Sequence, residues 1–524
     1  MPIDVSALEA VGARKAVRSE RVFTASDWAL FAVLSLLRIT ALTWFFFFWF
    51  FPSWWYRDAL VFAGATLLLL VGLFGNQLRW IALPFMQRPI HVEAKPGLRV
   101  AAVTTCVTSF EPPGMIGATL RAMKDLDYPH DTWLLDEDDS PEMRELCVSL
   151  DVKHFSRKGQ ALYQSDGGQF AADSKHGNYN AWLRDVGFAQ YDYMIAFDPD
   201  HIPSTEYASS VLGYFQDDRV AYVQTPQVYR NQAASLVARG AAEETYAYNS
   251  VTEMAAFSAG APVLTGCHNT QRLAALQDFG GLPAHPAEDL LQTAYYRRAG
   301  WRGVYVPKVL ATGLAPEDWS SYLTQQIRWS RSVLDIKLRH LPANKGRPSV
   351  KSAIEFLQGF GYLQDAILSL GTLALIVTVL GFGRGATIFD HLANRQFVLL
   401  IAIIFFSDFF RQRFYLQAKI EIGLHWRAGL LRLAKWPFTL LALWLIVQNR
   451  TFQYVVTPKL RGSRTRSRLL IPHGVIAVIL VAAWAVGYQL GIQQSRSARF
   501  CAAAIIVLSL TLIWLESSPS HDLH

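Results

Sequence analysis

The chain has 524 residues, of which 52% are hydrophobic and 13% aromatic, and its mean hydropathy is +0.18. Soluble globular proteins are less apolar, so a wholly soluble protein is excluded and membrane segments are expected. The formal net charge of +7 is spread along the chain, which argues against a nucleic-acid-binding protein and suits loops beside anionic lipid and an anionic ligand. The four cysteines lack zinc-type spacing and are predicted to be free thiols.

Two apolar runs follow a polar N-terminal segment, 1–27, which we expect in the cytoplasm. The runs cover 28–51 and 59–80, each near the roughly 20 residues that a spanning helix needs. The first run is long and is followed by no small-residue cleavage site, so it is not interpreted as a signal peptide. The segment 28–80 is therefore predicted to hold two transmembrane helices.

A soluble α/β domain is predicted over 97–345, where short β-type runs such as RVAAVTTCV, TWLLD, YMIAFD and VAYVQTP alternate with helical stretches. This alternation is typical of a largely parallel, doubly wound sheet. Ligands of such sheets bind at the carboxyl ends of the strands.

Apolar segments return after the soluble domain, and two transmembrane helices are predicted in 363–415 and two more in 470–515. The stretch 418–448 is ambiguous, because its most apolar part spans only 436–447 and contains Pro437. A run this short is more typical of an interfacial helix than of a span.

The number of crossings supports the same interpretation. The loop 450–468 is rich in arginine and lysine, which is typical of the cytoplasmic side. If the α/β domain is also cytoplasmic, an even number of spans must separate it from this loop, which requires 418–448 to lie in the interface. We therefore expect six spans with both ends of the chain inside, although Arg496 and Arg499 in an external loop count mildly against it.

Acidic residues follow two of the predicted strands. Asp198 and Asp200 of FDPDHIP are spaced to hold a hard cation and the diphosphate that it bridges. Asp136 of LLDEDDS is a weaker candidate for a ligand-facing acid. The alternative for both motifs is a solvated turn, which the same residues also favour.

Two further motifs carry ionisable groups. Lys175 of SKHGNYN could meet a phosphate, or the motif could be a helix start with a polar cap. Asp289, with Glu288 before it, could be a general base that deprotonates a sugar hydroxyl. Both acids also precede an amphipathic helix, where they would stabilise the helix dipole.

The segment QQIRWSRS places Gln325, Arg328 and Trp329 at helical spacing. Arginine can bind a diphosphate, and an indole face can carry a sugar ring. The alternative is an amphipathic interfacial helix, in which Trp and Arg are common.

The order and spacing of these motifs resemble the processive family 2 glycosyltransferases, the group of the cellulose, hyaluronan and chitin synthases. That family shows a variable first acid, then K-x-G-N, D-x-D, Q-T-P, T-E-D and Q-x-x-R-W. This chain has the series in order between about 100 and 335, and its motifs begin at Asp136, Lys175, Asp198, Gln224, Ala287 and Gln325. Ala287 stands where the family has threonine, which leaves the acids in place but changes their support.

The resemblance implies an α/β GT-A glycosyltransferase domain inserted between transmembrane helices of a multi-pass protein of the plasma (inner) membrane, with the domain in the cytoplasm. It implies inverting transfer from a UDP-sugar, with Mg²⁺ or Mn²⁺ as cofactor, Asp200 as metal ligand and Asp289 as catalytic base. Trp329 would stack on the acceptor sugar. The nucleotide-sugar site would contain seven residues: Thr108, Glu111, Asp136, Lys175, Asp198, Gln325 and Arg328.

Two segments depart from the family pattern. TSFE, from Thr108 to Glu111, differs from the usual T-Y-N-E or T-F-N-E. TGCHNTQRL, around Cys267 and His268, is unlike the usual G-T-x-A-V-F-R-R. In the family the second segment lines the acceptor site, so Cys267 and His268 become candidate acceptor residues, and the sugar and linkage stay open.

The resemblance extends to YVVTPK, which is similar to the F-x-V-T-P-K gating loop of the cellulose synthases. It implies a cytoplasmic gating loop at 450–468 with four candidate residues: Tyr454, Val456, Thr457 and Lys459. RTRSR, at 464–468, superficially fits a nucleotide-binding pattern, but no β-barrel sequence follows, so a built-in cyclic-di-GMP switch is not expected.

The leading hypothesis is a processive synthase that polymerises a polysaccharide, with a cellulose-like β-glucan favoured, and secretes it through its own channel. Its expected partners are the UDP-sugar, the growing polysaccharide and the lipid bilayer, and a periplasmic or outer-membrane export partner is left open. The alternative is a non-processive membrane glycosyltransferase that adds one sugar to a lipid-linked acceptor. A transporter or scaffold with a degenerate domain conflicts with the intact acids Asp136, Asp198, Asp200 and Asp289.

Overall fold

The computed structural model describes residues 16–50, 58–340, 350–391, 394–448 and 469–517. An α/β domain lies between two sets of long apolar helices. The N-terminal set consists of α1 (Ala25–Phe50) and α2 (Ala59–Ala82). The helices after the domain are α13 (Val350–Leu357), α14 (Phe360–Phe382), α15 (Ala386–His391), α16 (Arg395–Gln412), α17 (Ala418–Glu421), α18 (Trp426–Val447), α19 (Ile471–Gln489) and α20 (Arg496–Ser517).

The α/β domain begins at β3 and ends after a long helix, α12 (Trp319–Asp335), that carries the QQIRW motif. Its other helices are α3 (Pro113–Lys124), α4 (Pro141–Ser149), α5 (Lys175–Trp182), α6 (Phe188–Gln190), α7 (Tyr207–Leu212), α8 (Leu236–Ala247), α9 (Glu253–Ser258), α10 (Leu273–Gln277) and α11 (Glu288–Arg298).

The centre of the domain is a seven-stranded sheet in the order β11–β8–β10–β6–β3–β4–β5. Its strands are β3 (Val100–Cys106), β4 (Asp131–Asp136), β5 (Lys153–Phe155), β6 (Tyr193–Phe197), β8 (Val220–Gln224), β10 (His268–Arg272) and β11 (Arg302–Tyr305). Apolar layers cover both faces, one containing Val100, Ile195 and Val223, the other Val103, Met194 and Ala221. A strand covered on both faces needs a continuous apolar run, which is the pattern seen in the sequence.

One strand breaks the largely parallel arrangement that the sequence predicted. Strand β10 runs antiparallel to both of its neighbours, β6 and β8, whereas the other paired strands of the sheet are parallel. It consists of the polar run HNTQR, in which Asn269, Thr270 and Gln271 are nevertheless buried. The sheet is therefore mixed, and the antiparallel strand lies next to the strand that leads into the DPD motif.

A smaller three-stranded sheet, in the order β7–β12–β9, lies beyond the end of β6. Its strands are β7 (Ile202–Pro203), β9 (Val228–Tyr229) and β12 (Ala311–Gly313). Because β7 follows the DPD motif after one residue, this small sheet fixes the chain on the far side of the two aspartates.

A short antiparallel pair joins the N-terminal segment to the start of the domain. Strand β1 (Ser19–Arg21) pairs with β2 (Gln87–Pro89), and an ion pair between Arg88 and Glu20 at 2.6 Å supports it. The two strands flank the hairpin formed by α1 and α2, so its entry and its exit are held side by side.

Six described helices are long and apolar enough to cross a membrane, judged by length and composition: Ala25–Phe50, Ala59–Phe85, Phe360–Phe382, Trp426–Val447, Ile471–Gln489 and Arg496–Glu516. The number equals the predicted one, but the set differs. Helix α16 carries Arg395, Asp408 and Arg411 within 18 residues, which makes it less apolar than the six. Helix α18 continues through Pro437 over 22 residues, so it is longer than the apolar run on which the interfacial prediction rested.

Candidate active site

The carboxyl ends of the central strands bring several of the predicted residues together. Asp198 follows the last residue of β6, and its backbone N–H donates to the carbonyl of Cys267 at 2.8 Å. This bond ties the DPD motif to the segment before β10. The site is therefore built where a parallel and an antiparallel strand meet.

Lys175 lies at the centre of this site. It opens α5, whose N-cap Ser174 accepts a hydrogen bond from Gly177. The Nζ atom of Lys175 donates to Asp198 at 2.6 Å and to the carbonyl of Gly266 at 2.8 Å. Burial alone would lower the pKa of Lys175, but Asp198 and Glu288 outweigh it and hold the pKa well above its usual value. Lys175 is thus a fixed positive charge between two acidic segments.

Asp289 and Glu288 form the second acidic segment, at the start of α11. Glu288 lies 3.8 Å from Lys175 Nζ, and Asp289 accepts a hydrogen bond from the N–H of Leu290 at 2.8 Å. Burial and the neighbouring charge of Glu288 raise the pKa of Asp289 to about 7. A carboxylate with this pKa can accept a proton near neutral pH, as a general base must.

Gly266 packs against Asp289 and allows the segment before β10 to lie close to the start of α11. Its φ is +44°, and a Cβ there would lie 2.9 Å from Asp289 Oδ2. Any larger residue would be strained in its backbone and would push against the carboxylate. Gly266 was not predicted as a site residue, because nothing in the sequence shows which residue it faces.

Asp200, the predicted metal ligand, is almost fully buried and accepts a hydrogen bond from the N–H of Leu314 at 3.0 Å. The next residue, His201, is equally buried, with its Nδ1 atom 3.4 Å from Asp200 Oδ1. Burial alone would lower the pKa of His201, but Asp200 and Cys267 together outweigh it and raise the pKa to about 8. His201 belongs to the quoted motif but was not recognised as a candidate, since its burial depends on the small sheet.

The DPD segment has the composition of a site for a hard divalent cation. One oxygen each from Asp198 and Asp200 and one ring nitrogen of His201 lie within 4.8 Å of one another. Neither ring nitrogen of His201 has a hydrogen-bond partner among the described residues, although the side chain is buried. Carboxylate oxygens are the ligands that Mg²⁺ and Mn²⁺ prefer. The residues present therefore fit such an ion, and they do not distinguish Mg²⁺ from Mn²⁺.

The QQIRW helix is α12, which begins with Asp318 as N-cap to Ser321. Gln325, Arg328 and Trp329 lie at i, i+3 and i+4 and therefore share one face of the helix. Burial raises the pKa of Glu288, and the charges of Lys175 and Arg328 oppose this rise, which places Arg328 within electrostatic range of that carboxyl. The helix is thus brought to the acidic segment at α11, as the predicted site requires.

The predicted nucleotide residues at the start of the domain form a separate group. Asp136 ends β4, two strands from β6 and so about 10 Å away. Its side chain is fully buried and accepts hydrogen bonds from the N–H groups of Asp138 and Ser140. Thr108 donates to Asp138 at 2.8 Å, and Glu111 accepts from the N–H of Val107 at 2.9 Å. These residues brace the loops after β3 and β4.

The candidate acceptor residues Cys267 and His268 are buried rather than exposed in the site. Cys267 is 4% exposed and His268 is fully buried, and His268 Nε2 donates to the carbonyl of Pro226 at 2.8 Å. Gln224 of the QTP motif holds the same segment, donating to the carbonyl of His268 at 3.0 Å and accepting from the N–H of Thr265 at 2.9 Å. A direct contact with an acceptor sugar would require these two side chains to be accessible, which they are not in this structure.

The gating-loop candidates Tyr454, Val456, Thr457 and Lys459 lie outside the described residues. The helix before them, α18, packs on the catalytic domain. Lys435 donates to Glu244 of α8 at 2.8 Å and to Gln326 of α12 at 3.1 Å. The segment that leads towards the gating loop therefore contacts the QQIRW helix.

Comparison with known proteins gives matches over the same domain. Residues 99–332 match the family model described as "Glycosyltransferase like family 2". The chain is 26% identical over 281 residues to the cellulose synthase catalytic subunit [UDP-forming] of Xanthomonas axonopodis pv. citri (strain 306), a match that covers 52% of this chain and 36% of the relative. It is also 26% identical over 267 residues to the N-acetylglucosaminyltransferase of Rhizobium meliloti (strain 1021), covering 49% of this chain and 60% of that protein.

Among solved structures, the mannosyltransferase PcManGT from Pyrobaculum calidifontis in complex with GDP-Man and Mn²⁺ superposes with a TM-score of 0.49 at 15% identity, covering 74% of this chain and 99% of the other. The matched regions of the two curated relatives make up about a third and three-fifths of their lengths.

The predicted fold class is confirmed by the family match together with the mixed sheet and the flanking apolar helices. The match begins one residue before β3 and ends within α12, and it thus includes the acidic segments, Lys175 and the QQIRW helix. The α/β domain therefore carries the sequence pattern of the family 2 glycosyltransferases over residues 99–332.

Proposed function

We propose that the protein is a processive, inverting glycosyltransferase that polymerises a polysaccharide from a UDP-sugar and secretes it through its own transmembrane helices. A cellulose-like β-glucan is the favoured product. The names of the curated relatives, a UDP-forming cellulose synthase subunit and an N-acetylglucosaminyltransferase, support a sugar polymer or oligomer as product. Their matched segments cover the catalytic domain, so the activity of the whole chain stays a proposal.

The observation that carries the proposal is the position of Lys175 between the two acidic segments. It pairs with Asp198 at 2.6 Å and approaches Glu288 at 3.8 Å, with Asp289 as the next residue. A donor diphosphate beside Asp198 and a base beside the acceptor would then lie on opposite sides of one lysine. This is the arrangement that a displacement between a bound donor and a bound acceptor requires.

In the proposed reaction the oxygen of the acceptor hydroxyl forms a bond to the anomeric carbon of the donor. The bond from that carbon to the diphosphate oxygen breaks, and UDP leaves. The hydroxyl proton passes to Asp289, whose raised pKa of about 7 suits a base at neutral pH. Attack from the side opposite the leaving group inverts the configuration at the anomeric carbon.

The donor side is assigned to Lys175, Asp198, Gln325 and Arg328, which would bind the diphosphate, and to the loops braced by Thr108, Glu111 and Asp136, which would bind the nucleoside. Asp200, with Asp198 and His201 near it, would hold Mg²⁺ or Mn²⁺. When bound, such an ion supplies positive charge beside the departing diphosphate. Arginine and lysine complement it because they are fixed donors for phosphate oxygens.

The acceptor side is assigned to Trp329, on which the terminal sugar would stack. A polymer that stays bound must leave the site through the membrane, and the helices after the domain are the proposed channel. The loop 450–468 would gate it. This assignment places the catalytic domain in the cytoplasm, where nucleotide sugars are available, and the helices in the plasma membrane.

The test is turnover of the purified full-length protein in detergent or nanodiscs with a panel of UDP-sugars, each with and without added Mg²⁺ or Mn²⁺. UDP release identifies the donor, and digestion of the product with linkage-specific hydrolases identifies the linkage. We expect one UDP-sugar to be used in the presence of the cation and the product to be a long polymer. A product with a single added sugar would contradict processivity.

The variant Asp289→Asn is expected to lower turnover at least 100-fold while UDP still binds, because the base is needed only for the chemistry. Asp151→Asn is the matched control. Asp151 is an exposed acid in the loop after α4, and its φ of +53° is a conformation that asparagine tolerates. The Asp151→Asn variant should therefore retain full turnover. Equal turnover of both variants would refute the role of Asp289.

A further inference from the structure

Three side chains that ligate soft or borderline metals meet beside the DPD motif, and no step of the proposed reaction uses all three. They are His201, Cys267 and His268, which are 2%, 4% and 0% exposed. One ligand atom from each lies within 4.8 Å of the other two. We call this group the His–Cys–His cluster.

The backbone holds the His–Cys–His cluster in place. His268 is paired with Phe197 across the antiparallel strands β10 and β6, and the carbonyl of Cys267 accepts from the N–H of Asp198. His201 follows Asp198 in a turn in which its own N–H donates to the Asp198 carbonyl at 3.0 Å. The cluster is therefore formed by strand pairing, and it does not depend on the long side chains of surface residues.

Three of the four ring nitrogens of the cluster have no hydrogen-bond partner among the described residues. They are both nitrogens of His201 and the Nδ1 atom of His268, and all three are buried. Buried polar atoms are almost always paired, and an exception calls for an explanation such as a bound ion. The two imidazoles lie with their ring centroids 5.1 Å apart, so the unpaired nitrogens are concentrated in one place.

His268 is also prepared chemically to bind a metal. Its Nε2 atom donates to the carbonyl of Pro226 at 2.8 Å, so the proton of the neutral ring is on Nε2 and the lone pair is on Nδ1. Burial keeps the ring neutral by lowering its pKa to about 4. A backbone carbonyl on the far nitrogen is the usual support of a metal-binding histidine. Asp200 Oδ1 lies 3.4 Å from His201 Nδ1, which places a carboxylate beside the second ring without forming a hydrogen bond to it.

Two imidazoles and one thiol are the donor set of a borderline cation such as zinc. Mg²⁺ and Mn²⁺ prefer oxygen ligands, which the DPD carboxylates supply. We propose that the His–Cys–His cluster is a binding site for one zinc-type divalent cation. It shares His201 with the hard-cation site, but its other two ligands, Cys267 and His268, differ from the carboxylates of that site. Binding replaces the thiol proton of Cys267, which is released to solvent, with a metal–sulfur bond.

The nitrogen–metal and sulfur–metal distances of zinc sites are about 2.0 and 2.3 Å, so ligand atoms around one ion are roughly 3.5 Å apart. Because the ligand atoms lie within 4.8 Å of one another, the cluster needs to close by about 1 Å at most to reach this distance. His201 would then turn towards Cys267 and away from the DPD carboxylates. Zinc should therefore oppose the binding of the hard cation.

The test is a metal titration of the purified full-length protein in detergent, first without Mg²⁺ and then with increasing Mg²⁺, which should compete through the shared His201. Co²⁺ is the spectroscopic probe, because a cobalt–thiolate bond gives an intense near-ultraviolet charge-transfer band. We expect this band in the wild type and its loss when one equivalent of Zn²⁺ is added. Absence of the band from folded wild-type protein would overturn the proposal without any variant.

Two variants assign the band to the cluster. Cys267→Ser should remove it and weaken Zn²⁺ binding by about 100-fold, whereas Cys147→Ser, a matched change at another buried thiol, should leave both unchanged. If Cys267→Ser does not remain monodisperse, His268→Gln replaces it, with the same weakened Zn²⁺ binding expected. A band or an affinity that survives the substitution in the cluster would refute the site. Because the readout is metal binding, failure here leaves the proposed transferase activity untouched.

Discussion

Asp289 illustrates how the surroundings of one residue decide its chemistry. Its carboxyl is flanked by Glu288, faces Gly266 and is held by the N–H of Leu290. Burial disfavours the charged form, and the charge of Glu288 opposes it further, so the pKa rises to about 7. Aspartate in water would be a poor base at neutral pH, whereas at this position the protonated and deprotonated forms are both accessible.

The first prediction concerns pH. Only the deprotonated form of Asp289 accepts the acceptor proton, so turnover should fall as the pH drops below about 7, by about tenfold for each further unit. Glu288→Gln removes one of the two causes of the raised pKa, and the acidic limb of the pH–rate profile should move to lower pH. His201, whose pKa Asp200 and Cys267 raise to about 8 against the effect of burial, also titrates in this range. A limb that stays in place in Glu288→Gln would indicate a group other than Asp289.

The second prediction concerns Gly266. In Gly266→Ala the new Cβ would meet Asp289 Oδ2 at 2.9 Å, and the residue would be held at φ +44°. We expect turnover to fall at least tenfold, because the base is displaced, along with a loss of about 1 kcal/mol in stability from the strained backbone. Gly97→Ala is the control, since Gly97 has φ +81° with no atom near its Cβ position. Loss of turnover in both variants would attribute the effect to instability alone.

At the scale of elements, the apolar runs in the sequence predicted four strands of the central sheet, β3, β4, β6 and β8, whereas the polar strand β10 was not predicted. Strands β3, β6 and β8 are continuous apolar runs covered on both faces, so their pattern was sufficient. Strand β10 buries Asn269 and Gln271; Gln271 Nε2 donates to Asn269 at 3.0 Å, and Tyr296 donates to Gln271 at 2.8 Å. Tyr296 lies 25 residues further along the chain, so the local polar sequence does not indicate burial.

The candidate site shows the same difference between residues in recognisable local motifs and residues placed by tertiary contacts. Asp198, Lys175 and Asp289 were predicted because their motifs follow strands or open helices, and the structure brings them together. His201, Glu288 and Gly266 complete the site through neighbours that only the folded chain supplies. Conversely, the unusual segment around Cys267 and His268 was recognised from its sequence, but its burial was not.

Helix α16 follows α1 from end to end in the opposite direction. Arg395 at its start lies over the ring of Trp44, near the end of α1. Arg413, just after its end, pairs with Asp27 at the start of α1 at 3.2 Å. We therefore propose that α16 crosses the membrane with α1, in spite of its three charged residues.

Helix α18 contacts the catalytic domain at both ends. Near its start Arg427 pairs with Glu243 of α8 at 3.1 Å, and near its end the carbonyl of Ile446 accepts from Arg339 at 2.6 Å. A helix that crossed the membrane could not keep both contacts with a domain on one side. We therefore propose that α18 lies in the interface, as the short apolar run predicted, and that its length serves to cover α8 and α12.

The third prediction tests this orientation by labelling introduced cysteines with a membrane-impermeant maleimide in sealed vesicles. Val447→Cys, at the exposed end of α18, should react from the same side as Val148→Cys in the catalytic domain. Tyr488→Cys, at the exposed end of α19, should react from the opposite side. Reaction of Val447→Cys together with Tyr488→Cys would show that α18 crosses instead.

At the scale of the whole molecule, the catalytic domain is joined directly to the helix bundle. Helix α14 begins where Gln358 donates to the carbonyl of Ala261 in the domain at 3.1 Å, and Lys435 of α18 donates to Gln326 of α12. On the far side of the bundle, Asp58 accepts from Gly385 and Asp390 accepts from Ser495. The domain is therefore held against one end of the bundle, and these two bonds join helix ends at the other.

The fourth prediction is that synthesis and secretion are one process. In proteoliposomes with the catalytic domain outside, added UDP-sugar should give a polymer that external glycoside hydrolase cannot digest until detergent opens the vesicles. Lipid alone would not admit so polar a chain, so protection requires passage through the protein. Polymer that is digested equally with and without detergent would show that the product is released on the side of synthesis.

The pairing of β1 with β2 also has a consequence for the order in which the protein folds while it is being translated. The two strands are 68 residues apart along the chain, and both precede every strand of the catalytic sheet. On a ribosome they emerge, with the helical hairpin between them, before the domain can begin to fold. Their ladder can therefore close while translation continues, so that the enzyme is anchored before it can act.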